Sequence, residues 1–289
     1  MTGREQPRPA LDGATRVEWV AVALLAGVAL PLAPDTGLGP YGAINLQSMT
    51  RVVLVVLCIG AAGFYAQRFL GERYGLLVAG FAAGFVSSSA TIASMGLRAK
   101  ADPSTRNSAV AGGLASSIAT VVFYVLIVAA VDPLLVRHLA LPLGFAGVAA
   151  VAVTLVYARA AGRVPHEESP GRAFQWLPAL AVGGASAALA MVGAALRERT
   201  GEASMVVVSA VAGLVDAHAT SASVATLHHE GQLDAPTATL AVVVALSVNT
   251  VTKMVMAFVS RERDFALRLS AGVLAIALAA WLGMAASLR

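Results

Sequence analysis

The sequence predicts an all-α integral membrane protein with about nine transmembrane helices. Of its 289 residues, 58% are hydrophobic and 12% are charged, and the mean hydropathy is +0.77. Soluble domains carry about 25% charged residues and about 45–50% apolar ones. At roughly 20 apolar residues for each span, plus short loops, the chain has the length for about eight to ten spans.

The predicted elements follow one another with short connections, and the charged residues cluster between them. Residues 1–15 are polar and predict a disordered tail, while 16–50 hold the first transmembrane helix and a Gly/Pro-rich loop. Residues 132–140, after the fourth span, predict a short interfacial helix. The predicted spans cover residues 17–33, 51–70, 74–97, 107–131, 141–160, 173–197, 203–227, 236–260 and 266–288.

The charge pattern bears on orientation and on the class of partner. With the N-terminus inside, 11 Lys and Arg residues fall on the inner side and eight on the outer side, which favours this orientation by a small margin. The pI of about 9.6 comes from loop arginines, so we expect a multi-pass protein of the bacterial inner (plasma) membrane, in contact with lipid and not with nucleic acid. Cys58 is the single cysteine and excludes an intrachain disulfide.

Two similar stretches of sequence predict an internal duplication of a four-helix unit. Residues 84–94 (GFVSSSATIAS) align with 213–223 (GLVDAHATSAS), with six of the eleven positions identical. The copies, 51–160 and 173–288, begin four predicted spans apart, and an even number of spans leaves both in the same orientation. The sequence therefore predicts a parallel pseudo-two-fold repeat, whereas one miscounted span would invert one copy.

Polar side chains inside the predicted spans are the candidates for a binding site. An ionised group at mid-bilayer costs about 3 kcal/mol on insertion scales unless it has a partner or water. Helical spacing places Asp216, Thr220 and Ser223 on one face, and the aligned hydroxyls of the first copy repeat this stripe. The predicted substrate- or ion-binding residues are Asp216, His218, Thr220, Ser223, Asn249, Lys253, Ser87, Thr91, Ser94 and Thr120.

Three further predictions concern ionisable groups. Because His218 is two residues from Asp216, about 200° round an ideal helix, it either serves another surface or lies where the helix is unwound near Gly213. Asp216 and Lys253 are expected within direct or one-water reach of each other, because pairing offsets the cost of burying each charge. His228 and His229 are expected to be solvated loop residues.

The quoted segments resemble a bacterial membrane domain of unknown function that is often found C-terminal to an MgtC/SapB-like module. The resemblance covers about residues 30–285 and is carried by GPYGAIN at 39–45, GFVSSSAT at 84–91, GLVDAHA at 213–219 and VNTVTK at 248–253. It implies a signature of Asp-x-His at 216–218 with Asn249 and Lys253. We expect that only the first span corresponds to a remnant of the preceding module, which weakens the magnesium association of the MgtC name.

These residues favour a transporter or channel for a small solute, and a divalent metal cation held by Asp216 and His218 is the first candidate. Lys253 would repel a cation, so a small anion and proton coupling through the Asp216–Lys253 pair are alternatives. A non-transporting regulatory or assembly protein is the competing class, since polar stripes also hold helices together. Small-residue faces such as Gly80-x-x-x-Gly84 suit a homo-oligomer as well as internal packing.

Motifs of enzymes give the sequence no support for catalysis. The serines at 87–89 do not form a G-x-S-x-G elbow, and H-E-x-x-H and C-x-x-C are not found. We therefore expect no enzymatic activity, and no cofactor beyond the divalent ion.

Overall fold

A computed structural model describes residues 13–161, 174–201 and 203–287 of the chain, and these residues form helices and short connections without a β-strand. Seven of the helices are long and apolar enough to cross a membrane. The number of nine spans is not confirmed, because the first and seventh predicted spans correspond to the shorter apolar helices Val17–Leu32 and Ser204–Leu214. Of the predicted tail, residues 1–12 lie outside the described residues, and the first helix begins at Gly13.

The helices follow one another along the chain with short connections. Helix α1 (Gly13–Leu24) continues through a π-helical turn (Leu25–Ala29) into α2 (Leu30–Leu32). The others are α3 (Leu46–Tyr74), α4 (Leu76–Ala101), α5 (Arg106–Val131), α6 (Pro133–Arg159), α7 (Trp176–Thr200), α8 (Ala203–Val215), α9 (Ala217–His229), α10 (Ala235–Val259) and α11 (Arg263–Ser287).

Helix α6 begins directly after a single capping residue. Asp132 Oδ1 accepts the backbone N–H groups of Leu134 at 3.0 Å and Leu135 at 3.3 Å, and Pro133 holds the first helical position. A capping carboxylate and a proline at this position both favour a helix start. The helix then runs unbroken to Arg159, so the predicted separate interfacial helix at 132–140 is wrong.

Helix α4 is folded back on itself at Ser87, and we call residues 76–101 hairpin 1. Ser87 has extended backbone angles (φ −163°, ψ 104°) inside the helix. A Cβ built on Gly112 would lie 2.6 Å from the Leu76 carbonyl oxygen and 3.2 Å from the Met95 sulfur. In a straight helix Leu76 and Met95 would be about 28 Å apart. The two halves of α4 therefore lie side by side against α5.

Helices α8 and α9 form a second folded-back unit, residues 203–229, which we call hairpin 2. Asp216 separates the two helices with the same extended conformation (φ −148°, ψ 105°). A Cβ on Gly193 would lie 2.5 Å from the Met205 sulfur and 3.4 Å from Leu227 Cδ1, although a straight helix would hold Met205 and Leu227 about 33 Å apart. Hairpin 2 thus also returns to the face from which it starts.

Contacts near the helix ends assign the described connections to two opposite faces. On face 1, Asn107 donates to the Ala160 carbonyl and Arg106 pairs with Glu262, which joins the start of α5, the end of α6 and the α10–α11 turn. Both ends of hairpin 1 lie on this face. On face 2, Arg51 reaches the Val131 carbonyl and Asn45 bonds Glu230, which joins the start of α3, the end of α5 and the end of hairpin 2.

The two halves of the chain consequently run in opposite directions. Helix α3 crosses from face 2 to face 1, α5 returns to face 2 and α6 returns to face 1. Helices α7, α10 and α11 make the same three crossings in the opposite directions, beginning on face 1. Each half makes three crossings, an odd number, because its hairpin does not cross. The predicted parallel orientation of residues 51–160 and 173–288 is therefore wrong, because hairpin 1, which the sequence predicts as a full span, adds no crossing before α7.

Glycines allow each hairpin to approach its neighbouring helix at the same relative position. A Cβ on Gly84 would lie 2.6 Å from Ser116 Cα in α5, and a Cβ on Gly213 would lie 2.9 Å from the Ala245 carbonyl oxygen in α10. Helix α5 is the most enclosed of the candidate spans, with 67% of the residues in its most apolar stretch buried against 33% in α6 and α7.

Candidate functional site

The folds of the two hairpins meet at a cavity of about 130 Å³. Hairpin 1 contributes three consecutive serines, 87–89, while hairpin 2 contributes Asp216 and His218. Asn249 of α10 adds an amide, and the remaining wall is apolar and includes Val56, Phe85, Phe123 and Val182. Four of the residues predicted from the sequence, Ser87, Asp216, His218 and Asn249, therefore share one cavity.

Asp216 takes part in the cavity because it caps the second helix of hairpin 2. Its Oδ1 accepts the backbone N–H groups of His218 at 2.8 Å and Ala219 at 3.2 Å. A carboxylate at this position satisfies free N–H groups and faces the positive end of the helix dipole. Oδ2 has no hydrogen-bond partner within the described residues, and the side chain is 32% exposed.

Ser87 occupies the corresponding position of hairpin 1, 129 residues earlier. Its hydroxyl accepts the Ala90 N–H at 3.2 Å, which is the bond that Ala219 makes with Asp216. A serine hydroxyl carries no charge, so this helix start is capped but not neutralised.

The threonines four residues after each break support the same geometry. The Thr91 hydroxyl donates to the Ser87 carbonyl at 2.8 Å, and the Thr220 hydroxyl donates to the Asp216 carbonyl at 2.7 Å. Both threonines are buried and do not line the cavity. They therefore stabilise the breaks and do not face a solute.

His218 is close to Asp216 because the helix is broken between Gly213 and the histidine. Its Nδ1 lies 3.3 Å from Asp216 Oδ1, and its ring centroid lies 4.1 Å from that of Phe123. Its Nε2 is buried without a partner among the described residues. Of the two interpretations of this histidine, the unwound helix is the one that the structure displays.

Two further polar side chains on the cavity wall form no hydrogen bond with the described residues. Ser88 is 4% exposed and Asn249 is 8% exposed, and both border the cavity. Buried polar groups in proteins nearly always have a partner. These groups are therefore available for water or a solute.

Lys253 belongs to a separate buried cluster between the two halves. Its Nζ donates to the Ser117 hydroxyl at 3.2 Å and to the Thr120 hydroxyl at 3.0 Å, and the residue is 4% exposed. No ion pair within the described residues joins it to Asp216, so the direct form of the predicted contact is not found, and reach through one water molecule stays a prediction. The lysine follows α10 towards α5, whereas the break turns Asp216 towards hairpin 1.

Two other predicted residues lie away from the cavity. Ser223 is fully buried in α9, and its hydroxyl has no partner among the described residues. Ser94 is exposed on the second half of α4. The stripe predicted from helical spacing assumed an unbroken helix, and the break at each tip separates its members.

The histidines at 228 and 229, expected to be solvated loop residues, lie at the end of α9 and contact acidic side chains on face 2, and His229 is exposed as expected. His228 Nδ1 contacts the Asp132 carboxylate with 17% of its side chain exposed, and His229 Nε2 lies 3.4 Å from Asp35. Partial burial raises the pKa of Asp35, but the hydrogen bond from Asn45 and the charge of Arg51 outweigh it, and the net pKa is below the ordinary value. These contacts tie the end of hairpin 2 to the loop before α3.

Ser88, Ser89 and Ser117 are the residues whose placement the sequence did not indicate. Serines in membrane helices usually mediate close packing, so their residue type alone does not mark them as site residues. The signal that distinguishes Ser88 and Ser89 is their position directly after the residue aligned with Asp216.

The cavity offers few ligands to a metal ion. Of the residue types that usually bind one, it contains Asp216 and His218. Within the described ranges, no group of three or more His, Cys, Asp or Glu side chains could hold a metal ion.

Comparisons with known proteins identify the family of the chain but no individual relative. Neither a curated protein nor a solved structure matches the chain. No comparison connects it with an MgtC/SapB-like module. The model of one family, described as a domain of unknown function, DUF4010, matches residues 54–260, which is most of the chain. The chain is thus a multi-helical membrane protein that belongs to the DUF4010 family.

Proposed function

We propose that the protein transports a small solute across a bacterial plasma membrane and binds it in the cavity between the two hairpins. The observation that carries the proposal is the meeting of two broken helices, one from each face, at a polar cavity. Non-helical backbone at membrane depth is tolerated where it is buried in protein or lines a water-filled cavity. Discontinuous helices of this kind form the binding sites of many transporters.

We further propose that the two halves are inverted copies produced by duplication. The breaks at Ser87 and Asp216 and the helix approaches at Gly84 and Gly213 all correspond at an offset of 129 residues. Two similar, oppositely oriented units provide two conformations of similar energy in which one site opens to either face. Such a pair supports alternating access, and this proposal gives no residue a catalytic role.

The unpartnered groups favour transport over a purely structural or regulatory role. If the polar residues served only to hold helices together, their hydrogen bonds would be made within the protein. Ser88 and Asn249 instead border the cavity without a partner among the described residues.

A cation is one candidate for the solute, because the free Oδ2 of Asp216 and the oxygen of the Asn249 amide are ligands on the cavity wall. A divalent metal prefers six or more oxygen ligands or several carboxylates. The cavity supplies one carboxylate, so it gives the first expectation of a divalent metal little support.

Access to the cavity from water tests the proposal. In a Cys58→Ala background, we expect Ser88→Cys to react with a small hydrophilic thiol reagent in reconstituted vesicles. Ser223→Cys, which is buried away from the cavity, is the matched control and should stay unmodified. Reaction at Ser88→Cys together with solute uptake by the vesicles is the expected result. An unreactive cysteine at both 88 and 249 would contradict a solute cavity.

A further inference from the structure

We infer that the solute is a small amino acid, with its carboxylate at the fold of hairpin 1 and its ammonium group at Asp216. This inference rests on the proposed function and specifies the chemical class of the solute. It follows from the contrast between the tips of the two hairpins, which are the breaks at Ser87 and Asp216. The two tips have the same backbone geometry and different charges.

At hairpin 2 the protein supplies its own anion. The Asp216 carboxylate accepts two backbone N–H groups at the start of α9 and neutralises the positive end of that helix. Its second oxygen remains free on the cavity wall, where a protonated amine is the natural hydrogen-bond donor.

At hairpin 1 the corresponding position holds no anion. The second half of α4, residues 88–101, starts at the cavity, and the neutral Ser87 hydroxyl is its cap. Helix starts bind anionic groups through their free N–H groups and their dipole. The unpartnered Ser88 hydroxyl, 4% exposed and on the cavity wall, adds a hydrogen-bond donor that a carboxylate can use.

The two tips together select against singly charged solutes. A lone anion at hairpin 1 would be repelled by Asp216, and a lone cation at Asp216 would face the positive end of the hairpin 1 helix. A solute with both charges satisfies both tips, and the Asn249 amide can bond either group. The cavity of about 130 Å³ equals the volume of roughly four water molecules at about 30 Å³ each, which suits a solute the size of glycine or alanine.

The test is binding of defined solutes to the purified full-length protein in lipid nanodiscs, measured by calorimetry. Glycine and L-alanine are expected to bind at least tenfold more tightly than acetate, methylammonium or Mg²⁺. Acetate or Mg²⁺ binding as tightly as the amino acids would overturn the inference.

Charge changes at the tips provide reciprocal variants. Ser87→Asp places a carboxylate where the solute carboxylate would lie, so glycine binding should fall at least tenfold while methylammonium binding is kept or strengthened. Asp216→Asn keeps a capping side chain and should weaken glycine binding while strengthening that of acetate. Ser204→Asp, which adds the same charge near the start of α8, should leave glycine binding unchanged. Unaltered glycine binding in both tip variants would contradict the assignment.

The outcomes separate the two proposals. If Ser88→Cys is accessible to water and no amino acid binds, the cavity proposal stands and the solute assignment fails. If Ser88→Cys and Asn249→Cys are inaccessible and no solute binds, both fail.

Discussion

The Lys253 ammonium group is enclosed by helices and bonded to hydroxyl groups. Its acceptors, Ser117 and Thr120, belong to the other half of the molecule, so the lysine links α10 to α5. Hydrogen bonds to a charged group contribute about 1.5–3 kcal/mol, but removing an ammonium group from water costs several kcal/mol. The lysine therefore gives the interface little net stability.

A double-mutant cycle tests the separation of Lys253 from Asp216. Lys253→Met keeps the side-chain volume and Asp216→Asn keeps the helix cap, and we expect their effects on the free energy of unfolding in mixed micelles to add within about 0.5 kcal/mol. The cycle of Lys253→Met with Thr120→Val is the control and should show a coupling of about 0.5–3 kcal/mol, because these residues are in contact. A coupling of several kcal/mol between Asp216 and Lys253 would restore the predicted pair.

At the scale of single elements, each hairpin is a helix interrupted by one extended residue. Hydrogen bonds from the residues that follow satisfy the cap and the carbonyl at the break, and this holds for Ser87 as for Asp216. Close packing against α5 and α10 then keeps the two arms of each hairpin in place. Glycine is required where the backbones approach, since a Cβ at Gly84 would lie 2.6 Å from Ser116 Cα.

Alanine substitutions test this packing. We expect Gly84→Ala and Gly213→Ala each to lower the free energy of unfolding by about 1–3 kcal/mol, because backbone on the facing helix has to move. Gly144→Ala is the matched control in α6, where nothing lies within 4 Å of the added methyl group. There we expect unchanged or greater stability, by up to about 1 kcal/mol, from the better helix propensity of alanine. Equal effects at the three glycines would argue against close packing of the hairpins.

On the scale of the whole molecule, the fold sorts the positive charges of the described side chains unevenly. Seven Lys and Arg residues lie towards face 1 and four towards face 2, with Lys253 between them. Those near face 1 are Arg98, Lys100, Arg106, Arg159, Arg261, Arg263 and Arg268; those near face 2 are Arg51, Arg137, Arg197 and Arg199. Because cytoplasmic loops carry an excess of Lys and Arg, face 1 is expected to be cytoplasmic.

Labelling in intact cells checks this orientation and the hairpin together. In the Cys58→Ala background, a membrane-impermeant maleimide should label Thr36→Cys, which is on face 2, and should label Ser104→Cys and Arg263→Cys only after permeabilisation. Nine full crossings would instead place residues 104 and 263 on opposite sides of the membrane. Labelling of Ser104→Cys but not of Arg263→Cys in intact cells would therefore contradict hairpin 1.

Much of the local structure could be read from the chain before any tertiary contact was known. Apolar composition predicts helices in a membrane, and the helices of the described residues lie within a few residues of most of the predicted spans. The aligned motifs at 84–94 and 213–223 mark the two stretches in which the helices break, although the sequence left the break itself as one of two alternatives, and the cost of burying charge marks Asp216 as a site residue.

The direction of the helices and the hydrogen-bond partners of the polar residues depended on the folded chain. An apolar segment of about 26 residues has the same composition whether it crosses the membrane or turns back halfway, because both arms are surrounded by apolar groups. The extended angles of Ser87 and Asp216 decide between these outcomes, and each depends on caps and close packing as well as on residue type. Likewise, helical spacing could not identify the hydroxyl partners of Lys253, because contacts between distant helices depend on the three-dimensional packing of the two halves.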